Sequence, residues 1–142
     1  MKKTLIHSLT FPPDTISTGM IVSEIADGIN SEHHNIEVLA SSPQYNLESA
    51  ESFIQNNKYL KSEGYKDIKV NYIKSSPRQF VNSLRFIQWL IFNFKSMLFI
   101  YRNRRSYDNV LIFSYPPTMN LVCIFTSKIL KINTIYSLWE LY

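Results

Sequence analysis

Strand-like and helical segments alternate along this chain from its first residues to its last. The strand-like segments are short and apolar, as in Ile68–Ile73, where Ile68, Val70 and Tyr72 alternate with other residues. An alternation of β and α patterns is typical of a parallel sheet whose strands are connected by helices. The order β-α-β-(α)-β-α-β-α-β therefore predicts an α/β fold with a doubly wound, Rossmann-like parallel sheet.

The predicted elements also locate the loops that matter for binding. Strands are predicted at residues 4–9, 36–40, 68–73, 110–113 and 133–138. Helices are predicted at residues 19–30, 79–102 and 119–130, and the polar stretch 47–63 is predicted to be helical or irregular. Open parallel sheets bind ligands beyond the carboxyl ends of their strands, where the strand order reverses. The predicted binding loops are therefore 10–18, 41–45, 114–118 and 139–142.

Size, cysteine usage and charge set the broad class. The 142 residues are 45% hydrophobic and 18% charged, which fits one globular domain. The single cysteine, Cys123, cannot form an intramolecular disulfide, and the basic start lacks the apolar stretch of a secretory signal, so the cytoplasm is expected. Residues 58–142 contain 13 Lys and Arg but 4 Asp and Glu, against 2 and 7 in residues 1–57. The second half is therefore expected to meet any anionic partner.

The predicted binding loops contain prolines and one well-placed glycine. The first loop reads Phe-Pro-Pro-Asp at residues 11–14, and Gly19 then opens a helix. Such a glycine lets the free N–H groups of a helix start approach a phosphate, or it simply begins a helix where a side chain has no room. The second loop ends in Pro43-Gln44-Tyr45, and the fourth strand is followed by Pro116 and Pro117, the latter suited to the first position of a helix.

Taken together, these segments resemble the amino-terminal domain of the family 4 glycosyltransferases of the B-type fold, particularly the bacterial branch that builds surface polysaccharides. Members show Phe-Pro-Pro-Asp, a Leu-Ala-x-Gly-Leu helix turn, His-x-Val-x-Val-Leu-Thr-x-x-Pro-x-Tyr, and Asp-Val-Val-Ile-x-x-x-Pro-Pro. The matching stretches here are residues 11–14, 25–29, 34–45 and 108–117. The resemblance covers essentially the whole chain.

The resemblance implies a reaction and a division of labour between two domains. A sugar passes from a nucleotide-sugar donor to a saccharide or lipid-linked acceptor, in a retaining reaction that uses no metal and no cofactor. This domain would supply the acceptor side of the cleft, while a carboxyl-terminal domain would hold the donor. The sequence ends at Tyr142, so that donor-binding domain is expected to be absent and the chain alone to be inactive. No motif indicates a nucleic-acid partner.

The resemblance also implies site residues. The expected substrate-binding residues lie in the first three loops: Pro13, Asp14, Thr18, Gly19, Tyr45, Pro116 and Pro117. After the fifth strand the family often has an aspartate, and here the matching residue is Glu140, within Trp-Glu-Leu-Tyr. A carboxylate at this position could orient or deprotonate an acceptor hydroxyl, so Glu140 is the candidate catalytic residue. A solvated acid at a strand end is the alternative interpretation.

A long apolar helix with basic residues is the second notable feature. Its length approaches that of a transmembrane span, but internal polar and charged residues argue against insertion. Trp89, Phe92 and Phe99 are predicted to have more apolar surface than the sheet covers, so contact with an anionic membrane is expected. The predicted contact residues are Arg85, Trp89, Lys95, Arg102, Arg104 and Arg105. The alternative is a buried crossover helix with cations at its carboxyl end.

The three histidines are weak candidates for chemistry. His33 and His34 are adjacent in the chain, so they cannot share a metal on one helical face, and both are predicted to be solvated. His7 is predicted to be an interior, hydrogen-bonded histidine.

Two other interpretations of the chain remain open. One is a membrane-anchoring or scaffolding subunit that recruits a separate catalytic chain. The other is an inactive fragment, which would expose an apolar patch where further structure should pack.

Overall fold

The computed structural model describes residues 1–30, 33–45, 60–75 and 84–138, with the backbone alone at 60–63. Its strands are β1 (Lys2–His7), β2 (His34–Ser41), β3 (Leu60–Tyr65), β4 (Ile68–Ile73), β5 (Asn109–Phe113) and β6 (Asn133–Ser137). Its helices are α1 (Ser17–Ile29), α2 (Arg85–Arg102) and α3 (Met119–Ile124), the last continuing as a π-helical segment, Phe125–Ile129. The described chain is thus an α/β structure with six strands and three helices.

The six strands form one mostly parallel sheet in the order β3-β4-β2-β1-β5-β6. β1 lies in the middle and pairs in parallel with β2 on one side and with β5 on the other. The chain therefore builds one half of the sheet first and then crosses to the other side of β1. This reversal brings the loops that follow β1 and β5 to neighbouring positions at the carboxyl edge of the sheet.

The edge strand β3 corrects the sequence analysis. Residues 60–63 were predicted to be part of a helical or irregular stretch, but they belong to β3, which pairs antiparallel with β4 across a turn at Lys66 and Asp67. The prediction of a fully parallel sheet is wrong for this strand. β3 forms a strand because it pairs with β4, since its own sequence has no apolar alternation. The rest of the stretch predicted to be helical or irregular, residues 47–59, lies outside the described residues. So does the start of the helix predicted at residues 79–102, residues 79–83.

Two hydrophobic clusters flank the sheet. One joins residues of β1, β2 and β4 to α1: Ile6, Val38, Val70, Val22 and Ala26. The other joins residues of β1, β2 and β5 to α2 and α3: Leu5, Leu39, Ile112, Phe92, Ile100, Met119 and Val122. Consecutive residues of a strand point to opposite faces, so the two clusters lie on opposite faces of the sheet. Each face is therefore covered by at least one helix.

Helix α2 buries one side and ends in arginines. Its fully buried residues include Phe92, Ser96 and Ile100, which recur every four residues and so share one face.

Within the part of the chain that the structure describes, no helix, α2 included, is long and apolar enough to cross a membrane.

Candidate functional site

A crevice lies at the point where the strand order reverses. It is bordered by the loop after β1, the start of α1 and the end of β5, and it is narrow: of about 280 Å³ of space between its atoms, only about 10 Å³ can hold the centre of a water-sized molecule. Its lining residues are Ser8, Thr10, Thr18, Val22, Phe113 and Tyr115. Thr18 was predicted to bind substrate, and the structure places it here. The Ser8 hydroxyl donates to the backbone oxygen of Thr10 at 2.9 Å, and both residues are buried, so the half-buried Thr18 offers the more accessible hydroxyl.

Asp14 joins the first binding loop to the second. Its side chain is buried, and its carboxylate accepts hydrogen bonds from the backbone N–H of Gln44 at 2.8 Å and of Tyr45 at 2.9 Å. Charge-assisted bonds of this kind fix a loop more firmly than neutral ones. Asp14 and Tyr45, predicted separately as binding residues, thus belong to one connected unit. Pro13, half-buried, lies beside them in the first loop.

Gly19 lies against the backbone of the first loop. A Cβ atom on this residue would approach the carbonyl oxygen of Asp14 to 3.2 Å, closer than ordinary contact. Close packing of the loop on the helix therefore accounts for the glycine, and its predicted contact with a phosphate stays a prediction. Among the described residues no side chain caps α1: its N-cap residue, Ile16, makes no such hydrogen bond. The first-turn N–H groups have no partner within the helix.

The third loop bends back from β5 into α3 through two prolines. The bonds Tyr115–Pro116 and, in the first loop, Pro12–Pro13 are both cis. Pro116 is buried, and its carbonyl oxygen accepts a hydrogen bond from the N–H of Met119 at 2.9 Å. Pro117 is exposed and lies two residues before α3, whose N-cap is Thr118. The expectation that Pro117 occupies the first helical position is therefore wrong.

Trp89 borders this loop instead of facing outward. Its ring meets the ring of Tyr115 edge to face, with 6.1 Å between centroids. Trp89 and Phe99 are half-buried against the core, and Phe92 is buried in it. The exposed apolar residues of α2 are consequently not the three that were predicted. Tyr115 was missed as a crevice residue, although an aromatic directly before Pro-Pro in a predicted binding loop was the available signal.

The predicted basic residues fall into two groups. Arg85 and Lys95 are half-buried, and the Lys95 ammonium donates to the backbone oxygen of Lys74 at 3.2 Å. Burial lowers the pKa of Lys95, and the neighbouring charge of Lys74 lowers it further. By contrast, three arginines at the end of α2 or just after it are exposed: Arg102, Arg104 and Arg105.

These three arginines border a shallow pocket together with Tyr101 and Ser106, with about 690 Å³ of space between atoms, part of it open solvent. The guanidinium of Arg104 lies 4.5 Å from the centre of the Tyr101 ring. Because α2 leads into the amino end of β5, the pocket lies at the amino edge of the sheet. The crevice lies at the carboxyl edge, so the two are separate.

His7 is an interior residue with an unusual environment. It is fully buried and stacks on Phe92 with 5.4 Å between ring centroids. Neither ring nitrogen has a hydrogen-bond partner among the described residues, so the expected hydrogen bond is wrong. Burial lowers the pKa of His7 to about 3, which keeps the ring neutral.

The remaining predicted residues divide between surface and undescribed positions. His33 and His34 are exposed, as predicted. Glu140, the candidate catalytic residue, lies outside the described residues together with Trp139. Within the described ranges, no group of three or more His, Cys, Asp or Glu residues could hold a metal ion.

The site thus combines a crevice at the reversal of strand order with three loops, of which the first two are joined by Asp14. Ser8, Thr10 and Thr18 line the crevice with hydroxyl groups, of which that of Ser8 already donates to the backbone oxygen of Thr10. Comparison with protein-family models finds no family that matches the chain, and comparison with curated proteins finds no match either.

Proposed function

We propose that this chain is the amino-terminal, acceptor-side domain of a two-domain family 4 glycosyltransferase of the B-type fold, with a doubly wound, Rossmann-like sheet. The nucleotide-sugar donor binds to a carboxyl-terminal domain that is not part of this sequence. The acceptor is a saccharide or a lipid-linked saccharide used in cell-surface polysaccharide synthesis. The domain works in the cytoplasm, peripherally on the inner face of the membrane, in a retaining reaction that needs no metal.

The crevice between β1 and β5 is the observation on which this proposal rests. It lies at the reversal of strand order, where open α/β sheets bind their ligands. Two of the four segments that carry the resemblance, residues 11–14 and 108–117, border the crevice or lie next to it. Helices on both faces of the sheet support the doubly wound arrangement.

The roles of individual residues follow from this position. The Thr18 hydroxyl would hydrogen-bond the acceptor, because Thr18 is half-buried where it lines the crevice, whereas Ser8 and Thr10 are buried. Asp14 would hold the second loop, and with it Tyr45, in place. Glu140 would orient or deprotonate the acceptor hydroxyl.

Ligand titration of the ¹⁵N-labelled chain, followed by NMR, tests the proposal. Saccharides and a short-chain, lipid-diphosphate-linked saccharide are expected to shift the amide signals of Thr10, Thr18 and Tyr115. Thr18→Val, which removes a crevice hydroxyl and keeps the side-chain shape, should weaken that binding. Thr15→Val is the matched control, because Thr15 is exposed in the same loop and does not line the crevice.

Two results would argue against an acceptor site. One is that no saccharide shifts the crevice amides at millimolar concentration. The other is that Thr18→Val and Thr15→Val weaken binding equally, since the crevice would then have no special role.

An anchoring or scaffolding subunit is the second candidate function. The exposed apolar residues of α2 favour it, because they offer a surface for attachment that needs no chemistry. Purification of the tagged chain from its own cells distinguishes the two: a subunit would bring with it a separate polypeptide that turns over a nucleotide sugar. Transfer activity from a polypeptide that continues beyond Tyr142 would instead support the first proposal.

A further inference from the structure

Helix α2 presents a continuous apolar stripe to solvent. The stripe consists of Leu84, Ile87, Ile91, Phe94, Leu98 and Tyr101, whose exposed fractions lie between 41% and 67%. These residues recur at alternating spacings of three and four, so they share one side of the helix. At about 100° per residue the stripe spans an arc of roughly 100°, opposite the buried residues Phe92, Ser96 and Ile100. The stripe therefore faces directly away from the sheet.

The charges around the stripe are of one sign. Arg85, Lys95 and Arg102 lie on α2, and Arg104 and Arg105 follow it, whereas residues 84–107 contain no Asp or Glu. A second copy packed stripe to stripe would bring these cations together, and like charges in such a contact oppose association. A partner that covers the stripe must therefore be apolar at its centre and anionic at its rim.

The arginine pocket adds a second feature of the same kind. Arg102, Arg104 and Arg105 are exposed at the end of the helix and border a common pocket. Guanidinium groups bind phosphate oxygens through paired hydrogen bonds. The Tyr101 ring, which belongs to the stripe, lies under the Arg104 guanidinium, so the apolar stripe and the cationic pocket meet at this residue.

We propose that α2 lies flat on an anionic lipid bilayer, with its stripe among the acyl chains and the three arginines on the phosphate headgroups. An interfacial helix needs a broad apolar face and cations at the level of the headgroups, and α2 has both. This inference rests on the peripheral membrane location given under the proposed function and deepens it by naming the surface that docks, but it does not depend on sugar transfer.

Co-sedimentation with lipid vesicles tests the apolar part of this surface. The chain is expected to bind vesicles of phosphatidylcholine with phosphatidylglycerol much more strongly than vesicles of phosphatidylcholine alone. Phe94→Asp should reduce binding by at least about tenfold, since it puts a charge in the centre of the stripe. Ile29→Asp is the control, because Ile29 is also exposed, at 39%, but lies in α1, on the other face of the sheet.

The charged part is tested by removing two cations at a time. Arg104→Gln with Arg105→Gln should reduce binding to the anionic vesicles by about tenfold or more, since each cation near the surface strengthens attraction to anionic lipid. Lys2→Gln with Lys128→Gln removes the same charge from exposed positions elsewhere and should have a much smaller effect. Circular dichroism checks that each variant is folded, and Ile91→Asn replaces Phe94→Asp if the latter is not.

Three outcomes would overturn the inference. The first is that the folded chain binds neither vesicle. The second is that Phe94→Asp and Ile29→Asp weaken binding equally, which would mean that general hydrophobicity and not the stripe is responsible. The third is that light scattering shows a dimer that Phe94→Asp dissociates, while vesicles are not bound, because a second copy would then cover the stripe.

Discussion

The carboxylate of Asp14 accepts a hydrogen bond from the backbone N–H of Tyr45 at 2.9 Å. A second bond, from the N–H of Gln44 at 2.8 Å, reaches the other oxygen of the same carboxylate. Asp14 is 30 positions from Gln44 and 31 from Tyr45 in the chain, yet this pair of bonds fixes the distance between the loops that follow β1 and β2. The shape of that edge of the sheet therefore depends on one buried carboxylate.

Replacing Asp14 by alanine should destabilise the fold and free the second loop. We expect Asp14→Ala to lower the free energy of unfolding by about 2 to 3 kcal/mol, because two amides lose a charged acceptor. Urea denaturation measures this change. Asp14→Asn, which keeps one side-chain oxygen, should cost less.

Hydrogen exchange gives an independent measurement of the same change. The amides of Gln44 and Tyr45 should exchange faster in Asp14→Ala under native conditions, while amides in β5 keep their rates. Unchanged exchange at both amides would contradict the proposed role of Asp14.

The two glycines of α1 should respond in opposite directions to alanine. In Gly19→Ala the new Cβ would lie 3.2 Å from the carbonyl oxygen of Asp14, and the resulting strain should outweigh the gain in helix propensity by about 1 kcal/mol. In Gly28→Ala the Cβ has no atom within 4 Å, so the propensity gain of about 1 kcal/mol should appear in full. Thermal unfolding measures both. If Gly19→Ala is more stable than the original chain, the backbone of the first loop shifts at little cost to make room for the new Cβ.

The sequence predicts those elements whose hydrophobic pattern lies within the element itself. Strand β4 has the predicted bounds, Ile68–Ile73, and β6 and the start of α3 agree to within one residue. In β4 apolar residues alternate over the whole length, and α3 begins in a mostly apolar run, so the pattern alone defines these elements. The position of the crevice also followed, because the reversal beside the first strand is a property of this class of sheet.

The predictions that were wrong concern features that depend on contacts with other parts of the folded chain. Strand β3 has no apolar alternation and exists as a strand through its pairing with β4. Helix α2 is apolar on nearly all sides, so its sequence could not show which side meets the sheet: Phe92 is buried while Phe94 is 67% exposed. The missing hydrogen bond of His7 likewise depends on what packs around it.

Glu37 should contribute stability that is lost in acid. It is 3% exposed, forms ion pairs with Lys3 at 2.8 Å and Lys69 at 3.2 Å, and accepts a hydrogen bond from Asn71 at 2.6 Å. Burial raises the pKa of this carboxyl, but the hydrogen bonds from the two lysines and Asn71 outweigh it, so the pKa lies below its usual 4.5. The folded state therefore favours the ionised form, and the associated stability is present above pH 4.5 and lost as the pH falls below it.

Glu37→Gln tests this contribution. At pH 7 the variant should be less stable by about 2 kcal/mol, since it loses charged hydrogen bonds while both lysines can be hydrated. Below pH 4.5 the difference from the original chain should shrink, as followed by urea denaturation across pH. Glu24→Gln, at an exposed position of α1, serves as the control and should leave the pH profile unchanged. A constant difference at all pH values would argue against the ion pairs.

His7 should make the fold sensitive to pH in a higher range. Its pKa is lowered from the usual 6.5 to about 3 by burial, so the folded state holds the neutral ring. Between these values the unfolded chain binds a proton that the folded chain does not, and stability must fall as the pH decreases from 6.5 towards 3. From pH 7 to pH 5 the loss should be about 2 kcal/mol.

His7→Leu should remove that loss without weakening the fold at pH 7. No hydrogen bond is broken, because neither ring nitrogen has a partner among the described residues, and a leucine can fill an apolar site beside Phe92. His33→Gln, at an exposed position, should retain the full pH dependence. Glu37 acts below pH 4.5, so measurements between pH 5 and 7 isolate the histidine. If His7→Leu loses stability between pH 7 and 5 as steeply as the original chain, the ring is not the group that resists protonation.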